Sequence, residues 1–153
     1  TPMQLIQTYL PRFDRDNGLG IMVVGSIGAL LSTPFQGYYG GSKAMLHRYI
    51  LDLQTERNNE GQRSFLGMVN PGGMWTPMMK ASPIGQISAR NLVFRASFLP
   101  VARVAETLIQ SFIQAKAQTV PGLFNRILAL IHRFGPRRII RKVIGYFYGR
   151  GSC

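Results

Sequence analysis

In the run GSIGALLSTPFQGYYGGSKAML, residues 25–46, a serine, two adjacent tyrosines and a lysine stand at spacings suited to moving a proton. Side chains four apart on a helix share a face, about one turn from each other. Tyr39 has Lys43 at that spacing, whereas Tyr38 has Ser42 there. A free phenol exchanges its proton only near pH ~10, too high for acid–base work at neutral pH, and a nearby ammonium favours the phenolate. Tyr39 is therefore the tyrosine placed for chemistry, and Tyr38 is left as a packing residue or pocket wall. The pair alone is a weak signal, because an ordinary solvated helix face carries the same spacing.

The elements around the pair add weight to it. IMVVG, residues 21–25, is a short apolar run rich in β-branched residues, which suits a strand buried on both faces. Ser26 follows at its carboxyl end, where open α/β sheets bind ligands. A helical pattern runs over 38–56, with Ala44, Met45, Tyr49, Leu51 and Leu53 inside and Arg48, Asp52 and Glu56 outside. NNEGQ breaks it, and SFLGMVN, residues 64–70, predicts a second strand that ends in Asn70-Pro71-Gly72-Gly73-Met74-Trp75-Thr76. Strand, helix and strand in this order predict a right-handed parallel crossover in an α/β layered domain. Two neighbouring strand ends then carry a hydroxyl and a Pro-Gly loop, and the helix between them starts with Tyr39 and Lys43.

The flanks read more simply. Residues 3–13 have helical spacing and DRDNGLG stops them, residues 102–117 are amphipathic, and QTV is a short third strand ended by Pro121-Gly122. The stretch 78–100 carries no assignable pattern. The tail predicts two basic amphipathic helices, 123–134 and 137–148, split by Gly135-Pro136.

In combination, Ser26-x12-Tyr39-x3-Lys43, then Asn70-Pro71-Gly72 and Thr76, resembles the catalytic half of a short-chain dehydrogenase/reductase over about residues 1–122. Pro34 and the small residues Gly40, Gly41 and Ser42 fit the same pattern. The resemblance implies a partial Rossmann-like, doubly wound parallel sheet, followed by a basic helical tail at 123–153. It implies an oxidoreductase that interconverts an alcohol and a carbonyl with NAD or NADP. Tyr39 is then the general acid/base, and Ser26 hydrogen-bonds the reacting oxygen. Lys43 favours the phenolate and holds the ribose of the nicotinamide nucleotide. Pro71, Gly72, Met74 and Thr76 line the nicotinamide side, and Ser26, Phe35 and Tyr39 touch substrate. The apolar residues after the Pro-Gly loop, with Phe35, suit either an apolar or lipid-like substrate or plain core packing.

The departures from that family are equally definite. The glycine-rich dinucleotide turn is absent, as are the residue that selects NAD or NADP and the helix asparagine of the family's catalytic set. The chain does not begin with Met, and it reads as the second half of such an enzyme. The 153 residues alone are expected to bind cofactor poorly or not at all.

Composition sets the remaining bounds. At 46% hydrophobic and 16% charged residues, the chain is globular rather than disordered. No apolar run approaches the ~20 residues that span a bilayer, and the first residues do not form a signal peptide. The single cysteine, Cys153, forms no intrachain disulfide, which fits a cytoplasmic setting. His47 and His132 lack metal-like partners, so no metal site is expected, and His47 reads as a helix-surface residue. The net charge of +12 is concentrated late: beyond Glu106 there are eight Lys or Arg residues and no acid. Such a tail suits an anionic membrane surface, a second copy of the chain, or an ordinary basic surface; nucleic acid is not expected, since no recognition motif is present.

Overall fold

The expected strand–helix–strand unit forms the centre of the computed structural model, which describes residues 1–15, 20–32, 36–81, 92–136, 138, 140 and 142. Helix α1 (Pro2–Arg15) leads into β1 (Gly20–Val24), a 3-10 turn at Ile27–Ala29, α2 (Gly37–Asn59) and β2 (Phe65–Val69). Then come α3 (Pro77–Ala81), α4 (Leu92–Ser97), α5 (Val101–Ile113), β3 (Gln118–Thr119) and α6 (Leu123–Phe134). The three strands are parallel in the order β1-β2-β3. Their register aligns Val24 with Val69 and Val69 with Thr119, so the strands end together at one edge.

Helices cover both faces of the sheet, as continuous apolar parallel strands require. On one face Ile6 and Leu10 of α1 and Leu46 and Ile50 of α2 pack with Leu66 and Met68 of β2. On the other, α5 buries Val104 and sets the Phe112 ring edge-on to Phe65, with centroids 6.2 Å apart. The fold is thus α/β, with part of a Rossmann-like parallel sheet.

The inner face of α2 differs from the one its apolar spacing predicts. Its buried residues are Leu46, Ile50, Gln54 and Arg57, while Met45 is 62% exposed. Two of the four are polar because they tie the helix to the entrance of β2. Gln54 accepts the Leu66 N–H through its side-chain oxygen, and Arg57 donates to the Ser64 hydroxyl. Buried polar groups persist where such partners exist, and a reading of apolar periodicity alone passes over them. His47 also departs from expectation: it is half-buried towards β3 rather than on the helix surface.

The stretch without an assignable pattern contains α3 and α4, and Met74 forms an isolated parallel bridge with Leu99. Helix α6 matches the first tail helix. Of the second, Arg138, Ile140 and Lys142 are helical, and the rest lies outside the described residues. Among the described residues no helix is long and apolar enough to cross a membrane.

Candidate active site

The aligned strand ends gather the residues singled out by their chemistry. Beyond β1 the ladder to β2 continues: the Gly25 N–H donates to the Val69 carbonyl and the Ile27 N–H to the Pro71 carbonyl, each at 2.8 Å. Ser26 lies between them in extended conformation and caps the 3-10 turn, its Oγ accepting the Gly28 N–H at 3.0 Å. The hydroxyl proton of Ser26 is not used by that bond and can be donated outward.

Tyr39 stands in the first turn of α2 and folds over this turn. A β-carbon on the buried Gly28 would sit 3.4 Å from Ser26 Oγ and 3.4 Å from Tyr39 Cε1. Serine and tyrosine therefore flank one small space, which the absence of a side chain at position 28 keeps open. Lys43 lies one turn on, its Nζ 5.7 Å from the centroid of the Tyr39 ring and over its face. Among the described residues Lys43 forms no ion pair, so its ammonium keeps its donors for a ligand. Tyr39 is 48% exposed, and Tyr38 is fully exposed. Tyr38 is thus neither a packing residue nor a pocket wall among the described residues, because its position on α2 points it away from the sheet.

The Pro-Gly loop leaves β2 beside this cluster. Pro71 is buried and reaches the turn through its carbonyl. Gly72 lies against the Ser97 carbonyl and the Asn125 amide, so close that a β-carbon would stand 2.5 and 2.6 Å from them. Around Met74, Trp75 donates its N–H to the Leu99 carbonyl, and the Trp75 ring meets Phe98 with centroids 4.6 Å apart. The Thr76 hydroxyl accepts the Met79 N–H at 3.2 Å and so caps α3. The structure brings Ser26, Tyr39, Lys43 and Pro71 together; Met74 and Thr76 sit further along the loop. Phe35, expected to touch substrate, lies outside the described residues, as does Pro34.

Two residues with no role foreseen from the sequence support the site. Asn70 is fully buried at the end of β2, and its Oδ1 accepts the Ser26 N–H at 3.2 Å. Gly25 makes that possible, since a β-carbon there would stand 2.4 Å from Asn70 Oδ1. Asn125, fully buried on α6, donates to the carbonyls of Ser97 and Pro121 at 3.0 Å each. The available signals were the glycine just before Ser26 and a lone amide in an otherwise apolar and basic helix. Among the described residues no group of metal-ligating side chains is present.

No family model and no curated protein matches the chain. Solved structures do. A 7beta-hydroxysteroid dehydrogenase superposes with a TM-score of 0.73 at 16% identity, over 94% of this chain and 54% of that one. A short-chain dehydrogenase from Burkholderia cenocepacia J2315, in complex with NADP, gives 0.72 at 17% identity over 94% and 54%. Pseudomonas aeruginosa RhlG, in an NADP active-site complex, gives 0.57 at 23% identity over 78% and 52%. The chain has the fold of the short-chain dehydrogenases and spans about half the length of these proteins.

Proposed function

We propose that the chain carries the catalytic part of an NAD(P)-dependent oxidoreductase that interconverts an alcohol and a carbonyl. The observation that supports this best is the shared space at Gly28, with Ser26 Oγ on one side, the Tyr39 ring on the other and Lys43 over that ring. A carbonyl oxygen entering this space would receive a proton from the Tyr39 hydroxyl and a hydrogen bond from Ser26. The Ser26 bond strengthens as the oxygen gains negative charge, which is the differential stabilisation that lowers a barrier. The proton's departure leaves a phenolate on Tyr39, with the Lys43 ammonium over its ring. In the reverse direction the same phenolate takes the alcohol proton.

The residues present fit the nicotinamide end of a dinucleotide. Lys43, with unclaimed donors, would hold ribose hydroxyls, and the loop from Pro71 through Gly72 and Met74 to Thr76 would border the ring. A bound nicotinamide would supply or accept the hydride. The carboxyl end of β1 is taken by Ser26 and its turn, so it offers no glycine-rich cradle for the pyrophosphate. The chain is accordingly read as a portion of a longer enzyme, and an apolar or lipid-like carbonyl compound as its substrate.

The test is nicotinamide-dependent turnover in a chain that also supplies a glycine-rich dinucleotide-binding half. Tyr39→Phe should lower kcat by roughly 10²–10⁴-fold, the usual contribution of a positioned acid–base group, with the circular dichroism spectrum unchanged. Turnover equal to that of the unmodified protein would remove Tyr39 from this role.

A second reading draws on α6, where Leu123, Ile127, Leu130, Ile131 and Phe134 form an exposed apolar stripe at helical spacing. Flanked by Arg126 and Arg133, this is the composition of a helix that lies on an anionic membrane or meets a second copy of the chain. Charge reversal at Arg126 and Arg133 should then reduce sedimentation with anionic vesicles.

A further inference from the structure

Away from the Ser26–Tyr39 cluster, a cavity of about 1050 Å³ lies between the turn after β1, the middle of α2, β3 and α6. Four cationic side chains line it, Arg48, Lys116, Arg126 and Arg133, and among the described residues no carboxylate does. Their states differ. Arg48 is paired with Asp52 at 2.6 Å. Arg126 is steadied by donating from Nε to the Val120 carbonyl at 2.9 Å. Lys116 and Arg133 form no ion pair among the described residues. Like charges gathered around one concavity repel each other unless an anion joins them.

An independent observation concerns the wall itself. Thr119 Oγ1 is buried there with no hydrogen-bond partner among the described residues. A buried polar group left unpaired costs on the order of 1–3 kcal/mol, and this hydroxyl is able to donate to an acceptor oxygen. The remaining wall is mixed, with Leu30, Leu51, Val120 and Leu130 beside Ser32, Gln118 and His132. The volume is that of a site for a drug-sized molecule and far exceeds one small ion, since a water occupies about 30 Å³.

We propose that this cavity binds a phosphate-bearing amphiphile. Its phosphate meets Lys116, Arg126 and Arg133, and its carbon chain runs along Leu30, Leu51 and Leu130. Phosphate suits this set better than a carboxylate does, because a phosphomonoester carries close to two charges at neutral pH and takes guanidinium groups in bidentate fashion. Two sources share this chemistry, an anionic lipid headgroup and a free phosphorylated metabolite. Leu130 belongs to both the cavity wall and the exposed stripe of α6, so a lipid could enter from a membrane without leaving it. The proposal does not depend on hydride transfer.

The test is calorimetric titration of the full chain with dihexanoylphosphatidic acid, beside inorganic phosphate and dihexanoylphosphatidylcholine, which is neutral overall. We expect saturable binding of the acid, about tenfold or more tighter than either comparator. Lys116→Glu and Arg133→Glu should each weaken it by about tenfold or more, the scale of one charged hydrogen bond. Arg63→Glu, an exposed charge outside the cavity, should leave it unchanged. Lys116→Gln and Arg133→Gln should follow the same order if charge reversal alters the circular dichroism spectrum. Co-sedimentation with vesicles of phosphatidylcholine and phosphatidic acid that is lost in Lys116→Glu identifies a lipid source. Binding of the soluble acid without co-sedimentation identifies a free metabolite. Absence of saturable binding, inorganic phosphate binding as tightly as the amphiphile, or the two cavity variants behaving like Arg63→Glu would each overturn the proposal.

Discussion

Ser26 owes its position to two neighbours that do no chemistry themselves. The Asn70 side chain crosses from the end of β2 to accept the Ser26 N–H, and only a residue without a β-carbon at position 25 lets it approach. Because Asn70 is fully buried, it cannot swing aside. Gly25→Ala should therefore break the bond between Asn70 and Ser26 and destabilise the chain by about 1–3 kcal/mol. For a chain of this length that lowers the thermal midpoint by several degrees. An unchanged midpoint in thermal unfolding would show that the strand ends do not depend on this contact. Tyr39 and Lys43 could be paired from spacing alone because both lie on one helix. The Asn70–Ser26 bond spans 44 positions and could not be.

At the scale of elements, α2 is the piece that joins the candidate site to the rest of the sheet. Its outer turn holds Tyr39 and Lys43, and its middle sets His47 against β3. Burial is the main influence on His47 and lowers its pKa; a hydrogen bond with Gln118 opposes this, and the Arg48 charge adds to it. With the folded value below the unfolded one, the unfolded chain takes up its proton first on acidification. Stability from His47 is then complete above about pH 6.5 and declines as the pH falls towards the folded value. Urea midpoints measured between pH 7 and pH 5 should fall for the parent chain and fall less for His47→Gln. Parallel slopes would rule out His47 as the cause. The strand–helix–strand order, β3 and α6 were all legible from period and turn residues. The inner face of α2 was not, since Gln54 and Arg57 are buried for their hydrogen bonds and not for apolar surface.

At the scale of the whole molecule, the proposed function would give the chain the nicotinamide end of a dinucleotide site, and the described end of β1 carries Ser26 and its turn in place of a glycine-rich turn for the phosphates. Titration of the 153-residue chain with NADPH, followed by cofactor fluorescence, should show no saturation at micromolar concentrations. Tight binding there would mean that the residues from Ser26 to Thr76 suffice. The sequence by itself determined the parallel α/β class, the positions of the main helices and strands, and the pairing of Lys43 with Tyr39 rather than Tyr38. These follow from local period, turn chemistry and spacing along one helix, all of which act over a few residues. Only the tertiary structure decided that Ser26 and Tyr39 share the space over Gly28, that Asn70 holds the strand ends together, and that His47 is drawn inward. It also gathered Arg48 from α2, Lys116 from the approach to β3, and Arg126 and Arg133 from α6 around one cavity. The reason is physical: which side chains meet across elements is set by how sheet and helices pack, and a linear pattern of residue types does not specify that packing.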